Sequence, residues 1–164
     1  MHYTTYLKAT LSILSLFMLA SCSTLNSPVG GFFKLDTDLA LTFKVDADIN
    51  PDDKKTPAPL FIRLYELKTT KTFEKANFLD IFEKDKQVLG ADMLAKHRLK
   101  RLLPGENSEI TIVLDKSTQY VGVFAEFLQY KNSTYKVMMP VVINNVFSSS
   151  ATIRISGNTM RFEE

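Results

Sequence analysis

From Leu39 to Ile49 every second residue is apolar: Leu39, Leu41, Phe43, Val45, Ala47 and Ile49. Thr42, Lys44, Asp46 and Asp48 occupy positions between them. A helix would scatter this pattern around its circumference. A strand gathers it on one face, because successive side chains point to opposite sides. Such a strand needs a second apolar layer to lie on, and the rest of the chain supplies more strands. Leu60–Leu67 is richer in apolar residues and is expected to be buried on both faces. His97–Leu103, Glu109–Leu114, Tyr120–Leu128, Tyr135–Ile143 and Ala151–Ser156 carry β-branched or aromatic residues. Thr159–Phe162 follows a turn at Gly157-Asn158. Pro140 cannot donate a ladder hydrogen bond, so its strand is expected at an edge or a bulge. Seven or eight strands at this spacing predict a mainly β fold, a two-sheet antiparallel β-sandwich. One short helix interrupts it. Asn77 is placed to cap a segment running through Asp80, with Phe78, Ile81 and Phe82 on its apolar side. Lys68–Lys75 reads as a polar connection, and Gly90 as punctuation.

Composition narrows the function. Lys and Arg total 20 against 18 Asp and Glu, so the net charge is +2. That balance lacks the basic footprint of a nucleic-acid binder. The single Cys excludes an internal disulfide. Two His residues, one at position 2, exclude a multi-histidine metal site and a zinc site built from Cys and His.

The first residues read as an address. Met1–Lys8 carries one positive charge, and Ala9–Ala20 is a compact apolar run. The run is shorter than the roughly 20 residues of a bilayer span. Leu19-Ala20-Ser21-Cys22 then resembles the bacterial lipobox, with small residues before the thiol that accepts diacylglycerol. This gives a signal peptide over 1–21, a lipidated tether over 22–35 and a sandwich domain over 36–164. Acyl chains on Cys22 would each contribute about 0.8 kcal/mol per buried methylene. Ser23, where Asp retains many lipoproteins in the inner membrane, points to the outer membrane and its periplasmic face. Ser23–Lys34 is rich in Ser, Asn, Pro and Gly and reads as a leash. Phe32 and Phe33 within it either dock on the body or mark its start.

No residue pattern announces catalysis. His97 is the sole histidine after the signal peptide and reads as a solvated surface residue. No G-x-S-x-G elbow occurs. Asp46, Asp48, Asp52 and Asp53 lack calcium-loop spacing, and Lys54 and Lys55 adjoin the last pair. Lys96, Arg98, Lys100 and Arg101 form a basic cluster, read as the solvated face of an element rather than a lipid or peptidoglycan contact. Phe73, Phe78 and Phe82 read as the underside of the short helix rather than an exposed patch. There remains the connection Asn50, Pro51, Asp52, Asp53, Lys54, Lys55, Thr56, Pro57, Ala58, Pro59. It exceeds the usual two-to-five-residue hairpin loop, and proline stiffens it. Two readings stand for it: a recognition loop presented by a rigid sandwich, or a plain solvated connection.

Several features then fall into one order: the lipobox at Cys22, the alternating strand, the Pro-rich loop and Arg63-x-Tyr65-x-Leu67. Phe73, Ala76-Asn77-Phe78, Leu89-Gly90-x-Asp92 and Leu103-Pro104-Gly105-Glu106 follow. Val121-Gly122-Val123 and Ala125-Glu126-Phe127 complete the order. Along essentially its whole length the chain resembles the TssJ family (VasD or Lip), outer-membrane lipoproteins of type VI secretion systems. The resemblance implies a transthyretin-like sandwich with a helical excursion over about Phe73–Leu94. It implies a non-enzymatic anchor that binds the periplasmic C-terminal region of TssM, with TssL in the same complex, through the loop between strands 1 and 2. It implies no cofactor beyond the covalent diacylglycerol and N-acyl lipid on Cys22. An alternative is a periplasm-facing chaperone or small-ligand binder of the same fold. Transthyretin-like hydrolases use several histidines and a Tyr-Arg-Gly-Ser motif, and neither is present here.

Overall fold

The computed structural model describes residues 37–141 and 149–163. The expected signal peptide, Cys22, the expected leash with Phe32 and Phe33, and the end of the expected strand over Tyr135–Ile143 lie outside them.

Among the described residues, eight strands form two four-stranded sheets. The first has the order β4-β1-β7-β8, with β1 at Thr37–Val45, β4 at Ser108–Leu114, β7 at Ser149–Ser156 and β8 at Thr159–Glu163. The second has the order β3-β2-β5-β6, with β2 at Ile62–Leu67, β3 at Met93–Arg98, β5 at Tyr120–Ala125 and β6 at Lys136–Pro140. The expected sandwich is present, with one departure: β1 and β7 run parallel. A parallel pair needs a crossover. Here the chain visits the other sheet twice between them, so the parallel pairing has no local signature. Pro140 ends β6, an edge strand, where its missing N–H faces no neighbour.

Alternation places the core. Leu39, Leu41, Phe43 and Val45 turn inward from β1 and meet Ile62, Leu64, Val121, Val123, Ile153 and Ile155 in one buried cluster. The alternation stops paying structural dividends at Val45: a turn follows, Ala47 is exposed and Ile49 is buried again. The expected strand through Ile49 is thus four residues shorter. β2 is buried at all six positions. Ile62 and Leu64 face the sandwich, while Tyr65 and Leu67 face a second cluster beneath the helices.

The helical layer is larger than the sequence suggested. The expected polar connection contains a five-residue helix, α1 at Lys71–Lys75, which buries Phe73. Lys136 on β6 donates to the carbonyls of Phe73, Glu74 and Ala76 at 2.7–2.8 Å, capping its C-terminus with a cation. Burial pulls the Lys136 pKa down. α2 runs from Phe78 to Leu89, well past Asp80, because Asn77 and Asp80 close a full capping box and Leu89 adds a further buried anchor. It kinks at Lys84 (φ −132°, ψ 28°). Arg63 explains the kink. Its Nη1 donates to the carbonyls of Ile81 and Phe82 at 3.1 Å, while the Lys86 N–H turns to the Asp85 carboxylate at 2.7 Å. Arg63 also donates to Glu126, and Asp85 accepts from Tyr65 at 2.9 Å and Lys96 at 2.7 Å. Two cations and two carboxylates thus balance beneath the helix. Burial opposes ionisation of Asp85, but hydrogen bonds from Lys96 and Tyr65 outweigh it and hold its pKa below the usual value.

β3 lies at 93–98 and not at the expected 97–103, because the 3₁₀ turn Gly90–Asp92 delivers the chain to the sheet edge directly. Leu102 makes only an isolated bridge to Leu60.

Phe73 docks on the one small residue opposite it. A Cβ on Gly122 would lie 2.8 Å from Phe73 Cζ and 2.9 Å from Cε1. Gly122→Ala is therefore expected to lower stability by about 1–3 kcal/mol, read by urea unfolding. Phe73→Leu in the same chain should recover part of that loss. A Gly122→Ala chain as stable as the parent would refute the close docking.

Candidate functional site

The connection 50–59 leaves the sandwich where β1 ends and returns at β2. Asn50 fixes its base. The residue is 1% exposed and adopts a left-handed backbone, φ 49°. Asparagine tolerates that conformation better than other residues with a Cβ. Its N–H donates to the Gly157 carbonyl at 2.8 Å, its Nδ2 to the Pro59 carbonyl at 2.9 Å, and its Oδ1 accepts from the Leu128 N–H at 2.8 Å. One side chain therefore joins the two ends of the loop and ties both to the segment after β5. Ala58 N–H closes the base again on the Ile49 carbonyl at 3.2 Å.

Asp52 organises the tip. Its Oδ1 accepts from the N–H groups of Lys54 and Thr56, each at 2.8 Å. Its carbonyl accepts from Lys55 N–H at 2.9 Å and from Gln129 Nε2 at 2.8 Å, and its own N–H reaches the Thr56 carbonyl at 3.0 Å. A short polar side chain satisfying its neighbours' amides is an Asx turn. Lys55 takes a left-handed φ of 62° to close it. Asp53, Lys54, Lys55, Thr56, Pro57 and Pro59 are exposed, while Pro51, Asp52 and Ala58 are half-buried. The loop is thus shaped by its own hydrogen bonds and by its ties to Gly157, Leu128 and Gln129, and the side chains of Asp53 to Pro57 and of Pro59 are left to solvent. Phe61 and Leu128, exposed at 53% and 57%, stand at its base. Both were missed in the sequence. Phe61 sits in an apolar run that predicts burial, and Leu128 adjoins the loop only through Asn50.

The other candidates separate. Asp46 pairs with Arg154 at 2.9 Å, and Asp48 accepts from the Gly157 N–H at 3.1 Å. With Asp52 engaged at the tip, the four acids do not converge, and no cluster of metal-ligating residues occurs among the described residues. His97 is not a simple solvated residue. Its Nε2 lies 2.6 Å from Glu66 Oε1, and Glu66 is 2% exposed. The other Glu66 oxygen accepts from Asp115 N–H at 2.8 Å and Thr118 Oγ1 at 2.6 Å. This knot ties β2 and β3 to the β4–β5 turn and occupies both carboxylate oxygens. The basic cluster is divided: Lys96 serves Asp85 and His97 serves Glu66, while Arg98, Lys100 and Arg101 face solvent. Phe73 and Phe78 are buried as expected, and Phe82 stays 42% exposed beside Arg63. No helix among the described residues is long and apolar enough to cross a membrane.

Fold and loop together define a class, a β-sandwich scaffold that holds out one pre-shaped loop. Residues 37–158 match the family described as "Type VI secretion lipoprotein, VasD, EvfM, TssJ, VC_A0113". The chain belongs to this type VI secretion lipoprotein family, which is one of structural lipoproteins and not of enzymes. No curated protein matches the chain closely enough to count as a relative. Among solved structures it resembles the lipoprotein TssJ1 of Pseudomonas aeruginosa, at TM-score 0.71 and 24% identity over 78% of this chain and 95% of that one. A chain in a structure described as a type VI membrane complex matches at TM-score 0.68 and 26% identity, over 79% and 99%. A chain in a structure described as the TssM C-terminal domain from EAEC matches at 0.65 and 25%, over 77% and 98%.

Asn50→Ala removes the hydrogen bonds to the Leu128 N–H and the Pro59 carbonyl and puts a strained residue in the left-handed region. The expected loss is about 2–4 kcal/mol. Asn50→Gly keeps the backbone and loses only the hydrogen bonds, so it should cost about 1 kcal/mol less. Equal chemical-denaturation midpoints for the two variants would show that the left-handed backbone contributes nothing.

Proposed function

We propose that the protein is a non-enzymatic anchor of the type VI secretion membrane complex, held by acylated Cys22 on the periplasmic face of the outer membrane. Loop 50–59 is its contact with the periplasmic C-terminal region of a TssM-like inner-membrane subunit, in a complex that also contains a TssL-like subunit. The observation that carries this reading is the double closure of the loop by Asn50 and Asp52. A loop ordered before contact loses less conformational freedom on binding. Family membership supports the secretion role. The similar chains in a type VI membrane complex and in a TssM C-terminal domain structure support the partner. The lipobox at Cys22 supports the anchor. A carrier of small apolar ligands would need a cavity between the sheets. Here Leu39, Phe43 and Ile153 meet Leu64, Val121 and Val123 in one buried cluster, which favours the anchor.

Binding is tested with the full chain in detergent and the purified periplasmic domain of the cognate TssM-like protein. The parent should bind saturably. Replacing Asp52, Asp53, Lys54 and Lys55 by Gly and Ser should weaken binding roughly tenfold or more, at least about 1.4 kcal/mol. No binding at roughly tens of micromolar overturns the role; unchanged binding by the variant moves the site.

Cys22→Ser should shift the protein from the membrane fraction to the soluble periplasmic fraction while its thermal midpoint stays unchanged. Continued sedimentation with outer membranes would overturn lipid anchoring through this residue.

A further inference from the structure

The outer face of the first sheet carries a recess of about 250 Å³, lined by Asp46, Arg154, Ser156, Thr159 and Arg161. Arg154 and Arg161 are direct partners across the antiparallel β7–β8 pair. Like charges in that arrangement repel. Their neighbours compensate them unequally. Arg154 donates to Asp46 Oδ1 at 2.9 Å and to Glu163 Oε1 at 3.2 Å. Lys44 takes the other Glu163 oxygen at 2.5 Å. Arg161 is exposed and makes no ion pair among the described residues. Three cations therefore face two carboxylates, and the unneutralised charge sits beside the hydroxyls of Ser156 and Thr159.

The recess adjoins the loop. Ser156 and Thr159 flank the Gly157-Asn158 turn, where Gly157 has a left-handed φ of 52°. The Gly157 carbonyl accepts from Asn50 N–H, and its N–H donates to Asp48. We infer that the recess is an oxyanion seat that receives a carboxylate side chain of the protein partner docked on loop 50–59. The seat itself stands on this geometry; its occupant rests on the partner-binding role proposed above. Guanidinium forks match the two oxygens of a carboxylate. One surplus positive charge suits a monoanion, whereas a phosphate monoester, at about −1.5 to −2 near neutral pH, would face Asp46 at close range.

The test has two arms. In the first, the full chain in detergent, with ¹⁵N-labelled arginine, is titrated with acetate, inorganic phosphate and chloride at constant ionic strength. Acetate should shift the Arg161 Nε–Hε resonance saturably, chloride should not, and Arg161→Gln should remove the signal while leaving the thermal midpoint unchanged. An acetate response as linear as that of chloride overturns the seat. Tighter saturation by phosphate overturns the choice of carboxylate.

In the second arm, Arg161→Gln should weaken binding of the TssM-like periplasmic domain about tenfold, mostly through faster dissociation, and Arg161→Lys should restore part of it. Saturable acetate binding with unchanged partner affinity overturns the partner's carboxylate as occupant. Saturable acetate binding with no partner binding by the parent chain overturns that occupant through the failure of the proposed function and leaves the seat standing.

Discussion

Six consecutive buried side chains in β2 oblige the fold to cover both faces of its second sheet. Ile62 and Leu64 are satisfied by the other sheet; Tyr65 and Leu67 need a separate cover. α1 and α2 exist to supply it. They close over β2 and β5 through Phe73, Phe78 and Ile81, and Gly122 leaves room for the Phe73 ring. Arg63 then becomes a buried cation. Burying it is tolerable only because two backbone carbonyls, Glu126 and Asp85 surround it. The helix yields a kink at Lys84 to provide those carbonyls. One strand with no solvent face thus accounts for the helical layer, its buried charges and its bend.

Local patterns were legible because local physics produces them. The alternation of Leu39, Leu41, Phe43 and Val45 fixed the inward face of β1, and Asn77 marked the helix start through its own side chain. The two-residue turn at Gly157-Asn158 likewise sits where the sequence put it. What stayed hidden depends on residues distant in the chain. Ala47 continues the alternation but lies in a turn set by contacts of Asp46 with β7 and the segment before β4. The parallel pairing of β1 with β7 joins residues about a hundred positions apart, and no spacing encodes it. His97 is drawn to Glu66 across 31 positions, which its basic neighbours conceal. The loop was visible as a proline-rich interval. The reason it holds a shape, Asn50 reaching 78 positions to Leu128, was not.

The loop gains its order from the scaffold at little cost in sequence. Asn50 and Asp52 perform the closure, and Gln129 braces it from the segment after β5. The side chains of Asp53, Lys54, Lys55 and Thr56 are left exposed. The side chains of Asp53, Lys54, Thr56 and Pro57 can therefore change without touching the framework, while Lys55 keeps the left-handed backbone that closes the turn. That freedom is consistent with a loop whose shape depends on two polar residues and not on a packed apolar tip.

β1 lies in the interior of its sheet, seven residues in register with β4 on one side and seven with β7 on the other. Its N-terminal end receives the chain from residues 1–36, and its other end leads into Asn50. Tension between a tether at the first end and a partner at the second would run lengthwise along this strand. Pulled that way, hydrogen bonds on both flanks share the load at once and must slip together, whereas an edge strand peeled sideways loses them one after another. The order β4-β1-β7 therefore puts the mechanically resistant direction of the sandwich along β1, from Thr37 toward Asn50.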